Sequence, residues 1–167
     1  MQDIGDAFAL AFALIFSGDP VLMEIVGRSL TVSLSAVAIA LAIGLPLGAI
    51  LAVSRFPGKG AVGAALNAAM GFPPVVIGLF VYLMLSNTGP FGVLGLLYTP
   101  TAMIIAQVIL VTPIVAALAR QTIESLNEEY DDQLRSFVIS ARARIAILLW
   151  DARHALITAG LAGFGRA

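Results

Sequence analysis

Long apolar blocks alternate along this chain with short polar interruptions, and the interruptions are unevenly spread. From Gly60 to Ala119 there is no Asp, Glu, Lys or Arg, whereas Arg120–His154 is densely charged. A helix crossing a bilayer needs about 20 apolar residues at ~1.5 Å each. Three blocks meet this: Ser29–Ser54, Ala61–Leu85 and about Thr99–Ala119. The first exceeds a core ~30 Å thick, which predicts tilt or a kink. Ile4–Phe16 is too short to span and reads as an interfacial or re-entrant helix closed by Gly18-Asp19-Pro20. Val21–Arg28 reads as an amphipathic lead-in, with Glu24 and Arg28 four apart on one face. A last apolar run, Ala155–Ala167, falls short of a span, so the chain reads as C-terminally truncated. The expected fold is an all-α, polytopic membrane bundle forming one domain over residues 1–167. Its parts are an interfacial segment 1–28, spans near 29–54, 61–85 and 99–119, a charged segment 120–154, and the start of a further span at 155–167.

Composition supports the bilayer. Hydrophobic residues make up 60% and charged residues 11%, against about 25% charged in soluble domains; mean hydropathy is +1.01. Asp3 and Asp6 stand where a signal peptide would carry basic residues. A net charge of -1 gives no reason to expect nucleic acid as a partner, and the absence of cysteine excludes disulfides and thiolate chemistry. Basic residues gather in the Arg55–Lys59 turn and at Arg120, Arg135, Arg142, Arg144 and Arg153, while Ser86–Tyr98 has none. The positive-inside rule then puts both basic regions in the cytoplasm, in the cell membrane, with Arg28 outside beside Glu24 and Asp19.

Within the spans, Ala36, Ala40, Gly44, Gly48 and Ala52 recur every four residues and predict a small face for close helix packing. Pro46, Pro113 and the pair Pro73-Pro74 interrupt the spans. A proline removes a backbone donor, and the freed carbonyl must face protein or a watery cavity. An ordinary kink explains single prolines; the Pro73-Pro74 pair breaks a helix more severely and is a candidate for the translocation path. Asn67 and Gln107 are costly to bury without partners and join it as path candidates.

Bond chemistry finds no support. Gly58-Lys59-Gly60 lacks the spacing of a phosphate loop. His154 stands without companion ligands. Glu128, Glu129, Asp131 and Asp132 lack the glycine and alternation of a calcium loop and read as a solvated helix face. No cofactor or metal is expected, and any energy source lies in another protein. Thr122–Trp150 reads as two helices with a bend, Thr122 and Ser125 acting as caps. Leu126, Tyr130, Leu134 and Phe137 form a ridge suited to a partner's groove or to the bilayer surface.

Several stretches together resemble a known family: Gly27-Arg28-Ser29-Leu30-Thr31-Val32-Ser33-Leu34, Gly44-Leu45-Pro46-Leu47-Gly48, Arg55-Phe56-Pro57-Gly58-Lys59-Gly60, Gly71-Phe72-Pro73-Pro74-Val75-Val76-Ile77-Gly78-Leu79 and Asn87-Thr88-Gly89-Pro90-Phe91-Gly92. The chain resembles permease subunits of bacterial ATP-binding cassette importers of the molybdate/tungstate type. The resemblance implies a type I importer bundle without its own nucleotide site. It further implies a cytoplasmic ATP-binding subunit, an extracytoplasmic oxyanion-binding protein, a homodimer and surrounding lipid. The anion implied is tungstate, with molybdate or sulfate as alternatives; a non-transporting membrane anchor is the reading from a different class. The family's ATPase-coupling loop falls on Glu128, Glu129, Asp131, Asp132, Gln133, Leu134, Arg135 and Val138. Val138 stands where the family has glycine, and Trp150-Asp151 replaces its Leu-Pro end.

Overall fold

Asp19-Pro20 and Thr99-Pro100 carry the same start signal, a short polar residue followed by proline, and each begins a long helix. A computed structural model describes residues 4–130 and 141–166. Helix α1 (Ile4–Ser17) stops at Gly18, whose φ of 63° is left-handed. The Asp19 carboxylate then accepts from the amides of Val21 and Leu22 at 2.9 and 3.0 Å, and α2 runs from Pro20 to Val53. Thr99 caps α5 (Pro100–Glu129) in the same way, accepting from the Ala102 amide at 3.4 Å. Proline suits the first helical position because its missing N–H would be unsatisfied there anyway.

These two helices pack side by side through the predicted small face. Ala36, Ala40, Gly44, Gly48 and Ala52 are buried. A Cβ at Gly48 would stand 2.5 Å from the Ala116 carbonyl oxygen and 2.8 Å from the Ala119 Cβ. Only glycine permits that approach. Contacts rise in number together, Ala40 against Val111 and Val115, Gly44 against Val115, Gly48 against Ala119, Ala52 beside Ile123. The helices are therefore parallel, and the chain between them must return.

It returns through two short helices, α3 (Lys59–Met70) and α4 (Pro74–Leu85), bent by 96° at the intervening Gly71-Phe72-Pro73. Each has 12 residues, about 18 Å of rise and too little to cross a bilayer alone. The block expected as one span over 61–85 is thus broken where the proline pair lies. A loop with one 3-10 turn, Gly92–Leu94, leads to α5.

Two more boundaries differ from the sequence reading. No break separates Val21–Arg28 from the first span, since both belong to α2. Thr122 and Ser125 begin no helix, because α5 continues to Glu129. The packing explains this: Ile123 is fully buried against Ala52, Ala119 and Leu148. Leu148 belongs to α6 (Ala141–Asp151), followed at a 72° bend by α7 (Arg153–Phe164). Leu156 joins the cluster around Ala52, while Gly163 lies against Val111 and Val115, so α7 runs antiparallel to the long pair.

Candidate functional site

The charges that bracket the uncharged stretch, Lys59 and Arg120, meet on one carboxylate. Lys59 Nζ lies 2.9 Å from Glu124 Oε1, and an Arg120 guanidinium nitrogen lies 3.2 Å from Glu124 Oε2. Lys59 reaches inward because it also donates to the Ala52 carbonyl at 2.7 Å, in the last turn of α2. Such a carbonyl has no partner within the helix and carries the negative end of its dipole. The Arg120 guanidinium lies directly against Gly63 of α3, where any side chain would collide with it. The hydrogen bond from Lys59 holds the Glu124 carboxyl below its ordinary range; burial opposes this, and the charges of Lys59 and Arg120 add to it. All three side chains are largely covered, with 18% to 29% exposed.

One turn further along α5, Asn127 accepts a hydrogen bond from Arg144 of α6 at 2.6 Å. Between these contacts lies a polar recess of about 280 Å³ lined by Arg55, Lys59, Glu124, Asn127 and Glu128. Tyr130 closes the end of α5; the charge of Asp151 and a hydrogen bond to it, with a smaller effect from Glu129, push the phenol upward. Helices α2, α3, α5 and α6 therefore converge at one end of the molecule. Among the described residues no three His, Cys, Asp or Glu gather to hold a metal ion.

The expected site residues fare unevenly. Glu128 and Glu129 are exposed at the end of α5, Glu128 facing the recess. Asp131, Asp132, Gln133, Leu134, Arg135 and Val138 lie outside the described residues. Half of the expected ridge is occupied internally, since Leu126 and Tyr130 pack against the cluster around Ile123. Pro73 and Pro74 are exposed at the α3–α4 bend. Asn67 is exposed and accepts from Gln121 at 3.5 Å, near the charged end. Gln107 lines a groove with Glu24, Arg28, Ser29 and Ser33 at the opposite end of α5. Gln107 and Gln121 lie about 21 Å apart along that helix, so the structure does not bring the two path amides together. Glu24 and Arg28 pair at 2.8 Å, as their spacing predicts.

The residues missed in the sequence are Lys59, Arg120 and Glu124. Two signals pointed to them: Arg120 and Glu124 are spaced i,i+4, and Lys59 and Arg120 bound the uncharged stretch on either side.

No protein-family model matches the chain. Curated relatives do. A probable anion ABC transporter permease protein of Haloferax volcanii is 37% identical over 146 residues, 87% of this chain and 63% of its own length. The tungstate uptake system permease protein TupB of Peptoclostridium acidaminophilum is 43% identical over 118 residues, 71% of this chain and 52% of its own length. TupB of Campylobacter jejuni is 34% identical over 163 residues, covering 98% of this chain and 68% of its own length. The chain thus spans between half and two-thirds of the first two relatives. With two long apolar helices and a sequence related from end to end to the Campylobacter protein, this all-α membrane protein belongs to the family of ABC transporter permeases.

Proposed function

We propose that this chain serves as the membrane permease of an ATP-driven oxyanion importer, with tungstate as the anion carried. The observation that carries the reading is the relatedness of nearly the whole chain to a tungstate uptake permease. The geometry adds a sidedness. Because α2 and α5 are parallel, the Arg55–Lys59 turn and the charged segment lie at one end, joined by the Lys59–Glu124 pair. That end faces the cytoplasm by the bias of basic residues. There the end of α5, residues 131–138 and α6 receive an ATP-binding subunit, which supplies the hydrolysis. An extracytoplasmic oxyanion-binding protein delivers the anion at the Ser86–Tyr98 end, and two permease copies pair around the path.

The uncharged stretch from Gly60 to Ala119 favours a weak, transient path over a tight anion site. At the α3–α4 bend the backbone departs from a continuous helix, and such breaks offer backbone dipoles to a passing solute. The test is uptake of labelled tungstate, with molybdate and sulfate as competitors, in cells with and without the gene. Loss of tungstate uptake on deletion, restored by the gene, is expected; unchanged uptake overturns the reading.

A further inference from the structure

A membrane helix needs no ion pair to span, yet one carboxylate here ties α5 to α3 and, through Lys59, to the end of α2. Glu124 holds Lys59 and Arg120 at 2.9 and 3.2 Å. Lys59 bonds the end of α2 through Ala52, and it is the first residue of α3. Arg120 presses on Gly63, one turn into α3. Asn127, three residues beyond Glu124, is bonded to Arg144 and so to α6. The arrangement is tight on one side and loose on the other. Arg120 Nε is buried with no hydrogen-bond partner, while the recess beside Lys59 also presents Glu128.

We infer that Glu124 is a positioning residue, the joint through which displacement of α6 and the end of α5 passes to the broken pair α3–α4. The connection is short. A shift of α6 pulls Asn127 by its bond to Arg144, and the last turns of α5 carry Glu124 with it. Glu124 moves the ammonium at the start of α3, and the guanidinium bearing on Gly63 moves with the same stretch of α5. Helix α3 then swings against α4 at the 96° bend. Helix α2 is held through the Ala52 carbonyl and acts as the fixed side. Two acids one turn apart on α5, Glu124 and Glu128, both face the recess beside Lys59, so the lysine keeps a carboxylate within reach as the end of α5 moves. Packed elements of this kind change by discrete exchange of partners rather than by continuous deformation.

This inference rests on the reading as an ATP-coupled permease, and its test separates the two. The permease, assembled in proteoliposomes with its ATP-binding subunit and supplied with the extracytoplasmic oxyanion-binding protein, is measured for tungstate uptake and ATP hydrolysis together. Glu124→Gln and Lys59→Met are each expected to lower tungstate carried per ATP at least tenfold while hydrolysis continues. Lys59→Arg is expected to restore most of that ratio. The double variant is expected to match either single one, since both would break the same joint. An unchanged ratio in both single variants, independent additive losses, or loss only in proportion to assembled protein overturns the joint. So does a lack of membrane-inserted protein for Glu124→Gln and Lys59→Arg alike, which marks a folding contact only. Wild-type transporter that hydrolyses ATP but carries no tungstate, molybdate or sulfate overturns the functional reading itself.

Discussion

The seam between α2 and α5 and the charged end beyond it hold the same helices together by opposite means. Along the seam there are no charges, and contact comes from Ala and Gly faces brought close enough to touch backbone. In lipid the hydrophobic effect gives little reason for apolar helices to associate, so close packing itself must supply the attraction. At the charged end, long side chains bridge wider gaps, and one carboxylate satisfies two cations. The first kind of contact has essentially one geometry. The second has several of similar energy, because flexible side chains can exchange partners. The difference teaches where such a protein can move: the seam that α5 makes with α2 up to Ala119 is a fixed frame, and motion belongs to the polar end beyond it, where the last turns of α5 meet α3 and α6.

The sharpest way to break that contrast is to force the seam apart. Gly48→Leu puts a branched side chain where a single Cβ already meets the Ala116 carbonyl and Ala119. Overpacking typically costs 1–3 kcal/mol, and contact with backbone puts this case at about 3 kcal/mol or more. Thermal unfolding of the detergent-solubilised protein should register it as the largest loss of the series.

At the charged end the same measurement should return less. Lys59→Met leaves Glu124 with Arg120 alone and leaves the Ala52 carbonyl without its donor. Exposed pairs are worth about 0–1 kcal/mol and breaking buried ones costs about 3–5, so a partly covered pair should lose about 1–2 kcal/mol. The pH dependence gives an independent reading. Glu124 titrates below its ordinary 4.5 in the folded protein, so its contribution is complete above that value. It is lost as pH falls through the lower folded value. Stability of the wild type should therefore drop below about pH 4.5 more steeply than that of Lys59→Met or Glu124→Gln. Equal slopes would show that the pair contributes nothing to the frame.

Much of the seam was legible in the sequence, and little of the charged end was. Small residues every four positions define a face on one helix without reference to any other, so Ala36 to Ala52 announced themselves. Their partner on α5 did not, because Val111, Val115 and Ala119 look like any apolar residues. The proline pair announced a break but not its 96° angle, which depends on what α3 and α4 pack against. Thr122 and Ser125 resembled caps because the same side chains serve at helix starts and on helix faces. Burial of Ile123 beneath Leu148 settled the matter, and that contact joins positions 25 apart. Glu124 and Lys59 are further apart still, and no local spacing links them.

The opposite end of the long helices offers a milder test of the frame. Asp19 makes two short bonds to the first amides of α2, whereas Thr99 makes one at 3.4 Å to α5. Removing a cap costs about 1 kcal/mol. Asp19→Ala should therefore lower stability by about that much and Thr99→Ala by less, both below the loss from Lys59→Met. A cap variant that equals the seam variant would mean that helix initiation, not packing, holds the pair.

The smallest effect concerns Tyr130, where α5 meets the end of α6. Its phenol titrates above the ordinary value of 10.0, chiefly through the negative charge of Asp151 and secondarily through the hydrogen bond to it. Asp151→Asn removes the charge and weakens the bond. One of the three tyrosines in the chain should then ionise at lower pH, nearer 10, read by ultraviolet absorbance of the phenolate. The sign follows from which form the contact favours: the neutral phenol donates, so the contact is intact below pH 10 and is lost as the hydroxyl ionises. Thermal stability near neutral pH should barely change, because solvent competes for an exposed contact. If the absorbance titration is unmoved by Asp151→Asn, Tyr130 and Asp151 do not meet, and α6 is held to α5 without that contact, by Ile145, Leu148 and Leu149 and by the Arg144–Asn127 bond among others.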